Sequence, residues 1–344
     1  MSPPASLSVV MPVHNELDSV EQTLRLLRRA AAVSPWADCE VVVVDDGSND
    51  GTAALLDSLA AELRLTVVHQ ANAGRLDARE VGLRTATTEL VLLLDARVHL
   101  DPAALTHLAE QLLLDPAAVL WNGHVTVATR GNPYAAFWSA LTTLGWRRYF
   151  SDPRRTSFGL EDFDRYPKGT GAFVAPRAWL LADSVDLDVH YDNRSLASDD
   201  TALLRRLAGR SRIHLSPGFS CTYYGRQALT PFVRHAYFRG TTFVDGYLGR
   251  GGQVGRVLVV ALLATPPAAV LAVRRPRSAG TLAGLGAAGL GAAAVRAGAP
   301  VRDGAALTAL LPVFGVAFGG GVVRGLLLAT LARVRRRVRQ GAGR

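Results

Sequence analysis

Short apolar runs alternate with longer helical patterns along the first 130 residues of the chain. These runs, which predict strands, lie at residues 7–13, 40–46, 65–69 and 89–95. The run at residues 40–46 is mostly valine, which is typical of a strand covered on both faces of a sheet. Helical patterns lie between and after these runs, at residues 19–33, 52–63, 76–86 and 101–114. This alternation predicts right-handed βαβ units, and hence an α/β fold with a mainly parallel sheet and helices on both faces.

Two local signals predict where helices begin. Ser19-Val20-Glu21-Gln22 matches a capping box, in which the first and last side chains bond to free N–H groups of the first helical turn. Asp101 followed by Pro102 is a typical N-cap and first helical residue. We therefore expect one helix to start beside Ser19 and another beside Asp101.

Polar side chains stand where the first, second and fourth predicted strands end. Because ligands of such sheets bind beyond the carboxyl ends of the parallel strands, these side chains are expected to share one site. The residues concerned are His14, Asn15, Glu16, Asp45, Asp46 and Asp95.

The pattern is less regular between residues 120 and 250. It predicts an aromatic-rich helical stretch from Tyr134 to Phe150, a glycine-rich turn at residues 168–173 and a helix after Ser198-Asp199-Asp200. A strand is predicted at residues 212–217, followed by a helix at residues 230–246 that carries arginine and aromatic side chains.

The chain becomes strongly apolar after Arg256. Residues 279–295 and 305–323 are uncharged and of near-membrane length, and a third apolar segment, residues 257–273, is broken by Pro266-Pro267. We expect two or three membrane helices in residues 251–344, and a buried soluble helical domain is the alternative. In a hairpin of residues 279–295 and 305–331, the basic ends lie on the cytosolic side and Arg296 and Arg302 on the opposite side.

Charge and cysteine content bear on the compartment and on the partners. The net charge is +9, and six of the last twelve residues are arginines that follow an apolar segment, which favours a membrane-flanking cluster over a nucleic-acid surface. Two lone cysteines, Cys39 and Cys221, indicate a reducing compartment. The first residues have no basic region followed by an apolar core, as a signal peptide would. We therefore expect a multi-pass protein of the cell membrane whose first 250 residues lie in the cytosol, with no nucleic-acid partner.

Six motifs occur in a specific order: PVHNE, VVVVDDGSNDGT, NAGRLDARE, LLLDAR, GTGAF and SDDTALLRRL. Together they resemble family 2 glycosyltransferases of the GT-A fold over residues 7–250. The resemblance implies an inverting enzyme that moves a sugar from a nucleotide-diphospho-sugar to a lipid-linked or cell-envelope glycan acceptor at the cytosolic membrane face. It divides the first domain, residues 1–250, into a nucleotide-binding half (7–120) and an acceptor half (121–250).

The resemblance implies a donor site made of the first four motifs. Carboxylates at strand ends suit the N–H groups of a base and the hydroxyls of a ribose, and arginines suit a diphosphate. The expected donor residues are Pro12, His14, Asn15, Glu16, Asp45, Asp46, Arg75, Arg79, Asp95 and Arg97. Simpler roles remain open for three of these: Asp45 or Asp46 as a turn cap, His14 as a loop-packing residue and Arg79 as a solvated helix residue.

Asp95 corresponds to the first carboxylate of the family's D-x-D motif, which binds a divalent cation together with the sugar diphosphate. The chain departs from the motif at Arg97, which cannot bind a metal. Two possibilities follow. Either Asp95 holds Mg²⁺ or Mn²⁺ with phosphate oxygens and water, or Arg97 replaces the charge of the metal.

Asp200 corresponds to the family's general base, and Asp199 stands where the family has a glutamate. An aspartate pair that only caps the following helix is the alternative. The resemblance places Gly169, Thr170, Gly171 and Arg239 on the acceptor side. The Q-x-x-R-W motif of processive members is absent, since no tryptophan follows Arg239, and this indicates a non-processive enzyme.

Two other classes of protein remain to be tested. A nucleotidyltransferase of similar fold would open with a glycine-rich, basic loop after the first strand, which PVHNELDSV does not provide. A non-catalytic membrane binding protein that kept the fold would explain Arg97, but it would not explain why Asp45, Asp46, Asp95 and Asp200 all remain.

Overall fold

A nine-stranded sheet forms the centre of the N-terminal domain in the computed structural model, which describes residues 6–184, 199–247, 259–260, 263, 270–271 and 273–342. Its strands are β1 Leu7–Val13, β2 Glu40–Asp46, β3 Leu65–Gln70, β4 Leu90–Leu94, β5 Val98–Leu100, β6 Trp121–Val127, β7 Thr156–Phe158, β8 Ala172–Pro176 and β9 Ile213–Tyr223. They lie in the order β3-β2-β1-β4-β8-β6-β9-β5, and β7 also pairs with β9.

The helices of this domain precede two longer helices near the end of the chain. The bounds are α1 Val20–Ala32, α2 Thr52–Ala60, α3 Arg75–Thr85, α4 Ala104–Leu114, α5 Pro133–Gly145, α6 Arg147–Phe150, α7 Arg177–Ser184, α8 Asp199–Arg210 and α9 Leu229–Tyr247. The two later helices, α10 and α11, span Pro276–Arg296 and Val301–Ala342.

The predicted parallel pairing is confirmed for the first four strands of the sheet, and the remaining strands form a mixed arrangement. Strands β3, β2, β1 and β4 are mutually parallel neighbours. Strand β6 also runs parallel to β9, whereas β8 runs antiparallel to β4 and β6, and β5 and β7 run antiparallel to β9. Strand β9 overlaps the strand predicted at residues 212–217, whereas the other added strands are short or polar, as in WNGHVTV of β6, and lack the apolar runs that revealed β1 to β4.

The predicted helix start beside Ser19 is confirmed without its capping bond, and the one beside Asp101 needs correction. Helix α1 does follow Ser19, but the Ser19 hydroxyl donates to Glu16 Oε2 at 2.7 Å and makes no capping bond. Helix α4 begins at Ala104 and not beside Asp101. The reason is that residues 98–100 form β5 and the Asp101 N–H donates to the Ser220 carbonyl at 3.1 Å, which keeps this stretch extended along β9.

Two apolar layers cover the parallel strands. Leu24, Leu56 and Leu105, from α1, α2 and α4, pack with Val9 and Leu92 on one face of the sheet. On the other face, α3, α7 and α8 pack against the side chains that alternate with these along the same strands. The prediction of helices on both faces is therefore confirmed, and the carboxyl ends of β1, β2 and β4 remain open at one edge.

Helices α10 and α11 are long and apolar enough to cross a membrane, over Pro276–Arg296 and Val301–Arg333. Within the most apolar 18-residue stretch of each helix, only 17% (α10) and 22% (α11) is buried inside the protein. Helix α11 packs along α9, where a Cβ added at Gly240 would collide with the Phe318 carbonyl. Close contact through small residues is common between membrane helices. Most of the predicted segment 257–273 lies outside the described residues.

The turn between α10 and α11 does not lie where the expected hairpin puts it. The Arg302 guanidinium donates to the Thr129 hydroxyl at 3.1 Å, and Ala299 packs in an aromatic cluster with Phe137 and Phe232. Through Ala299, the turn therefore contacts α5 and α9 of the N-terminal domain, while Val301 stays exposed. The expectation that Arg302 is separated from that domain by a membrane is therefore wrong.

Candidate active site

The carboxylate of Asp46 organises the loop that leads into α3. Its Oδ1 accepts bonds from the Ala73 N–H and the Gln70 side chain, both at 2.8 Å, and its Oδ2 accepts from the Gly74 N–H at 2.9 Å. Asp46 is only 3% exposed. Since Arg75 is the next residue and the first of α3, Asp46 fixes the point from which that arginine extends.

Asp45 caps the turn after β2, as the simpler interpretation of the sequence proposed. Its Oδ1 accepts from the Ser48 N–H at 3.1 Å, and its Oδ2 lies 3.1 Å from His69 Nδ1. The other ring nitrogen of His69 lies 3.0 Å from Asp57 Oδ1. The hydrogen bond to Asp57, followed by that to Asp45, raises the pKa of His69.

The PVHNE segment is hydrogen-bonded to the end of β2 and to the turn that follows it. Pro12 is opposite Val44 in the parallel ladder, and His14 Nδ1 lies 2.8 Å from the Asp46 carbonyl oxygen. Asn15 adopts a left-handed backbone with φ of 54°, and its side-chain oxygen accepts from the Asn49 N–H at 2.9 Å. The His14 contact is the loop-packing role left open above.

Arg97 faces Glu16 and not the end of β4. Arg97 Nε lies 2.7 Å from Glu16 Oε2, and Arg226 Nη2 lies 3.4 Å from Glu16 Oε1. The Glu16 side chain, at 12% exposure, therefore has a cation on each oxygen. Arg226 carried no signal in the sequence, because it belongs to no motif and joins the site only through the fold.

Asp95 sits directly against the glycine-rich turn. Its N–H donates to the Gly171 carbonyl at 2.9 Å, and a Cβ added at Gly171 would lie 3.2 Å from Asp95 Oδ2. Burial raises the pKa of the Asp95 carboxyl, and the nearby Arg75 and Arg79 offset this only in part. The small side chain at position 171 is what allows this close approach.

Four residues form what we call the arginine–aspartate cluster: Arg75, Arg79, Thr170 and Asp200. Both terminal nitrogens of Arg79 lie 3.2 Å from Asp200 Oδ1, and the Thr170 hydroxyl donates to the same oxygen at 2.6 Å. Arg79 also donates to Thr170 at 2.9 Å, and Arg75 Nη2 lies 3.1 Å from Asp200 Oδ2. Arg79 is 1% exposed, which excludes the alternative of a solvated helix residue.

The arginines decide the protonation state of Asp200. Burial alone would raise the pKa of this carboxyl, but Arg75 and Arg79 outweigh burial and hold that pKa well below the usual range of an aspartate. Asp200 is therefore ionised at neutral pH, with a cation on each oxygen. Asp199 begins α8, and its side chain lies outside the described part of the chain.

The residues that the resemblance placed on the acceptor side lie in or near this cluster. The Gly169 N–H donates to Asn122 Oδ1 at 2.9 Å, so the buried Asn122 of β6 holds the turn in place. No motif pointed to Asn122. Arg239 of α9 lies close enough to lower the pKa of Asp200 further. One turn earlier, His235 stacks on Trp138 with ring centroids 5.0 Å apart, and burial lowers its pKa to about 3.

A protein-only metal site is absent from the described residues, which hold no group of three or more histidine, cysteine, aspartate or glutamate side chains suited to an ion. Asp95 supplies the carboxylate at the end of β4, and the neighbouring Glu16 is already paired with Arg97 and Arg226. Mg²⁺ is often bound by one or two carboxylates together with substrate phosphates. The donor set therefore fits a cation shared with a diphosphate ligand and does not fit one held by the protein alone.

Strand-end acids, a buried arginine and a glycine-rich turn therefore lie together at the edge of the sheet where the parallel strands β1, β2 and β4 end. Residues 8–174 match the family described as Glycosyl transferase family 2. The chain therefore contains a glycosyl transferase family 2 domain, which confirms the resemblance seen in its motifs.

Solved structures agree on the fold. The mannosyltransferase of Pyrobaculum calidifontis, in complex with GDP-Man and Mn²⁺, superimposes with a TM-score of 0.54 over 95% of this chain and 88% of that chain, at 18% identity. At this identity the likeness shows the fold, and it confirms the GT-A architecture predicted from the sequence.

Curated relatives match part of the chain. The undecaprenyl-phosphate 4-deoxy-4-formamido-L-arabinose transferase of Pseudomonas fluorescens (strain SBW25) is 35% identical over 133 residues, which cover 37% of this chain and 38% of that protein. The validoxylamine A glucosyltransferase of Streptomyces hygroscopicus subsp. jinggangensis (strain 5008) is 32% identical over 170 residues, covering 46% of this chain and 40% of that protein. The chain thus matches less than half the length of either relative. Both names are those of sugar transferases, which does not favour a nucleotidyltransferase or a non-catalytic binding protein.

Proposed function

We propose that this protein is an inverting glycosyltransferase that moves a sugar from a nucleotide-diphospho-sugar to an acceptor at the cytosolic face of the cell membrane. The observation that carries the proposal is the arginine–aspartate cluster, which meets Asp95 at the open sheet edge. A base, a pair of cations and a strand-end carboxylate are what transfer from a sugar diphosphate requires.

The nucleotide lies beside the ends of β1 and β2 in this proposal. Asp45 and Asp46 line this end, and their carboxylates keep acceptor capacity for a base or a ribose beyond the bonds that they already make. Asp46 also fixes the loop before Arg75, so nucleotide binding and the position of that arginine are linked.

Arg75 binds the diphosphate, while Arg79 stays bonded to Asp200 and Thr170. Arg75 is 45% exposed on its side chain, whereas Arg79 is buried and bound to Thr170. A diphosphate competes with the Asp200 carboxylate for the exposed arginine, because arginine binds phosphate and carboxylate oxygens with the same geometry. Donor binding therefore frees Asp200 Oδ2 while Arg79 and Thr170 keep Oδ1 in place.

Asp95 would hold a divalent cation, Mg²⁺ or Mn²⁺, together with the donor, and the ion would neutralise charge on the leaving nucleoside diphosphate. Arg97 does not take the place of this ion, since it is paired with Glu16. Its part is to keep Glu16 neutralised beside the donor.

Asp200 receives the proton of the acceptor hydroxyl through its freed oxygen. The hydroxyl oxygen then attacks the anomeric carbon on the face opposite the diphosphate, the bond to the diphosphate breaks and configuration is inverted. General-base assistance of this kind contributes about 10² to 10⁴ in rate. Gly169, Thr170 and Gly171 border the sugar, and Arg239 adds positive charge on the acceptor side.

A lipid-linked or cell-envelope glycan is the acceptor in this proposal. Support comes from the two apolar helices and from the relative that is named as an undecaprenyl-phosphate sugar transferase. An acceptor held in the bilayer would suit a multi-pass membrane protein whose domain of residues 1–250 lies on the cytosolic side.

The test is to incubate membranes containing the full chain with labelled UDP-, GDP- and TDP-sugars, with and without EDTA. Release of nucleoside diphosphate with labelled sugar appearing in lipid or glycan is the expected result, and EDTA should abolish it until Mg²⁺ or Mn²⁺ is restored. Pyrophosphate formed from a sugar phosphate and a nucleoside triphosphate would instead identify a nucleotidyltransferase. Binding without turnover of any donor would identify a non-catalytic protein.

A further inference from the structure

A second basic site lies where the N-terminal domain meets the end of α10. A cavity of about 440 Å³ is lined on one side by Arg147, Arg148 and Ser151 of the α6 region and on the other by Arg296, the last residue of α10. Leu144 and Ala293 form an apolar wall of the same cavity. It shares no lining residue with the arginine–aspartate cluster.

The charge of this cavity is uncompensated within the described part of the chain. None of the ion pairs between described residues involves its three arginines, although most other exposed arginines of the domain, such as Arg64 and Arg212, do have a carboxylate partner. Three arginines lining one cavity create a positive potential that attracts anions. The cavity therefore suits an anionic ligand.

The chemistry of the lining indicates a phosphate. Arginine guanidinium groups bind phosphate oxygens through pairs of N–H donors, and the Ser151 hydroxyl adds a further donor. The apolar wall continues into α10, a helix of membrane length whose most apolar window is only 17% buried in the protein. A hydrocarbon chain attached to the phosphate would lie along that exposed helix, whereas a nucleic acid would have no use for it.

We propose that this cavity binds the phosphate of an anionic lipid headgroup. Such headgroups lie at the ends of membrane-length helices, and basic pockets beside those ends bind them. The proposal goes beyond sugar transfer and does not depend on it, because the ligand is recognised outside the candidate active site. It gives the N-terminal domain a fixed position against the lipid surface.

The experiment measures the thermal unfolding of the purified full chain in a neutral detergent. Phosphatidylglycerol, phosphatidylcholine, a polyprenyl phosphate and inorganic phosphate are added at the same concentration. We expect phosphatidylglycerol or polyprenyl phosphate to raise the Tm by about 3 °C or more, and phosphatidylcholine and inorganic phosphate to leave it unchanged. The anionic lipid that raises the Tm identifies the source of the phosphate.

Two triple variants locate the effect. R147Q/R148Q/R296Q should lose the lipid-dependent rise in Tm, while R29Q/R64Q/R84Q, which removes the same charge from exposed positions of the other half of the domain, should keep it. If the first variant does not fold, R296Q alone should raise the lipid concentration for half the effect by about tenfold, since each pair of charge-assisted bonds contributes about that factor. Equal responses of the two triples, or a rise in Tm with inorganic phosphate equal to that with lipid, would overturn the proposal.

Discussion

Two groups of aspartates at the same sheet edge have opposite kinds of partner. Asp45 and Asp46 accept bonds from backbone N–H groups, from Gln70 and from His69, and they thereby build the loops after β2 and before α3. Asp200 instead bonds to two guanidinium groups and one hydroxyl. Backbone donors stay with their acceptor as long as the loop is folded, whereas an exposed arginine can exchange one anion for another.

The comparison separates residues that shape the site from residues whose partners change during a reaction. Changes at Asp200 should reduce turnover, and they should also cost stability because the buried Arg79 loses its carboxylate partner. Changes at Arg79 should affect folding strongly, because they remove a buried cation that bonds to both Asp200 and Thr170. Changes at residues that border either group should have smaller effects on turnover and on stability.

The largest effect on turnover is expected for Asp200→Asn. Asparagine keeps the size of the side chain and can accept the bond from Thr170, but it cannot take a proton, so kcat should fall by about 10² to 10⁴. Nucleoside diphosphate binding, followed by thermal shift, should be retained. Turnover within about threefold of wild type would show that Asp200 is not the base.

Arg79→Gln should cause the largest loss of stability. Removing the buried partner of Asp200 Oδ1 and of Thr170 should lower the free energy of unfolding by about 3 kcal/mol. The control is Arg84→Gln on the same helix, where a 66% exposed arginine pairs with Glu80, and the expected loss is about 0.5 kcal/mol. Equal losses in chemical denaturation would contradict the distinction between the two arginines.

A matched pair of glycines tests how tightly the turn fits against Asp95. A Cβ at Gly171 would lie 3.2 Å from Asp95 Oδ2, while a Cβ at Gly169 would meet nothing within 4 Å. Displacement of the carboxylate by a few tenths of an ångström in Gly171→Ala should reduce kcat/KM by about tenfold, because misplaced groups lose much of their effect. Gly169→Ala should behave like wild type in the same assay.

The smallest effect is expected for His69, which belongs to the loop-building group. Since its folded pKa is raised, its contribution to stability is present below about pH 6.5 and is lost as the pH rises through the folded value. Its side chain is 42% exposed, so solvent screening limits this contribution to a few tenths of a kcal/mol. Unfolding curves at pH 6 and pH 8 should differ more for wild type than for His69→Asn.

The parallel half of the domain was predictable because its strands are mainly apolar and its acids stand at or directly after the ends of those strands. Only the family resemblance placed Asp95 and Asp200 in one site, because these residues are far apart in the chain and meet through the fold. The sequence left Arg79 open, because burial of a helical arginine depends on the partner that folding brings to it. Asn122 and Arg226 were missed because neither stands in a motif.

The C-terminal helices show a different limit of prediction. Length and apolarity identified α10 and α11, with bounds close to those observed. Their predicted orientation depended on the distribution of basic residues, which takes no account of tertiary contacts. Arg302 contacts Thr129, and the aromatic cluster around Phe137 holds the turn, so packing against the N-terminal domain decided what charge alone did not.

The central claim is that Arg75 leaves Asp200 for the diphosphate of the donor. Its most direct test compares the affinity of the full chain for a nucleoside diphosphate and for the same nucleoside without phosphate, in wild type, Arg75→Gln and the control Arg84→Gln. We predict that Arg75→Gln weakens diphosphate binding by about tenfold or more, as the loss of a charge-assisted contact requires, and leaves nucleoside binding unchanged. Diphosphate affinity that is the same in Arg75→Gln, Arg84→Gln and wild type would contradict the claim.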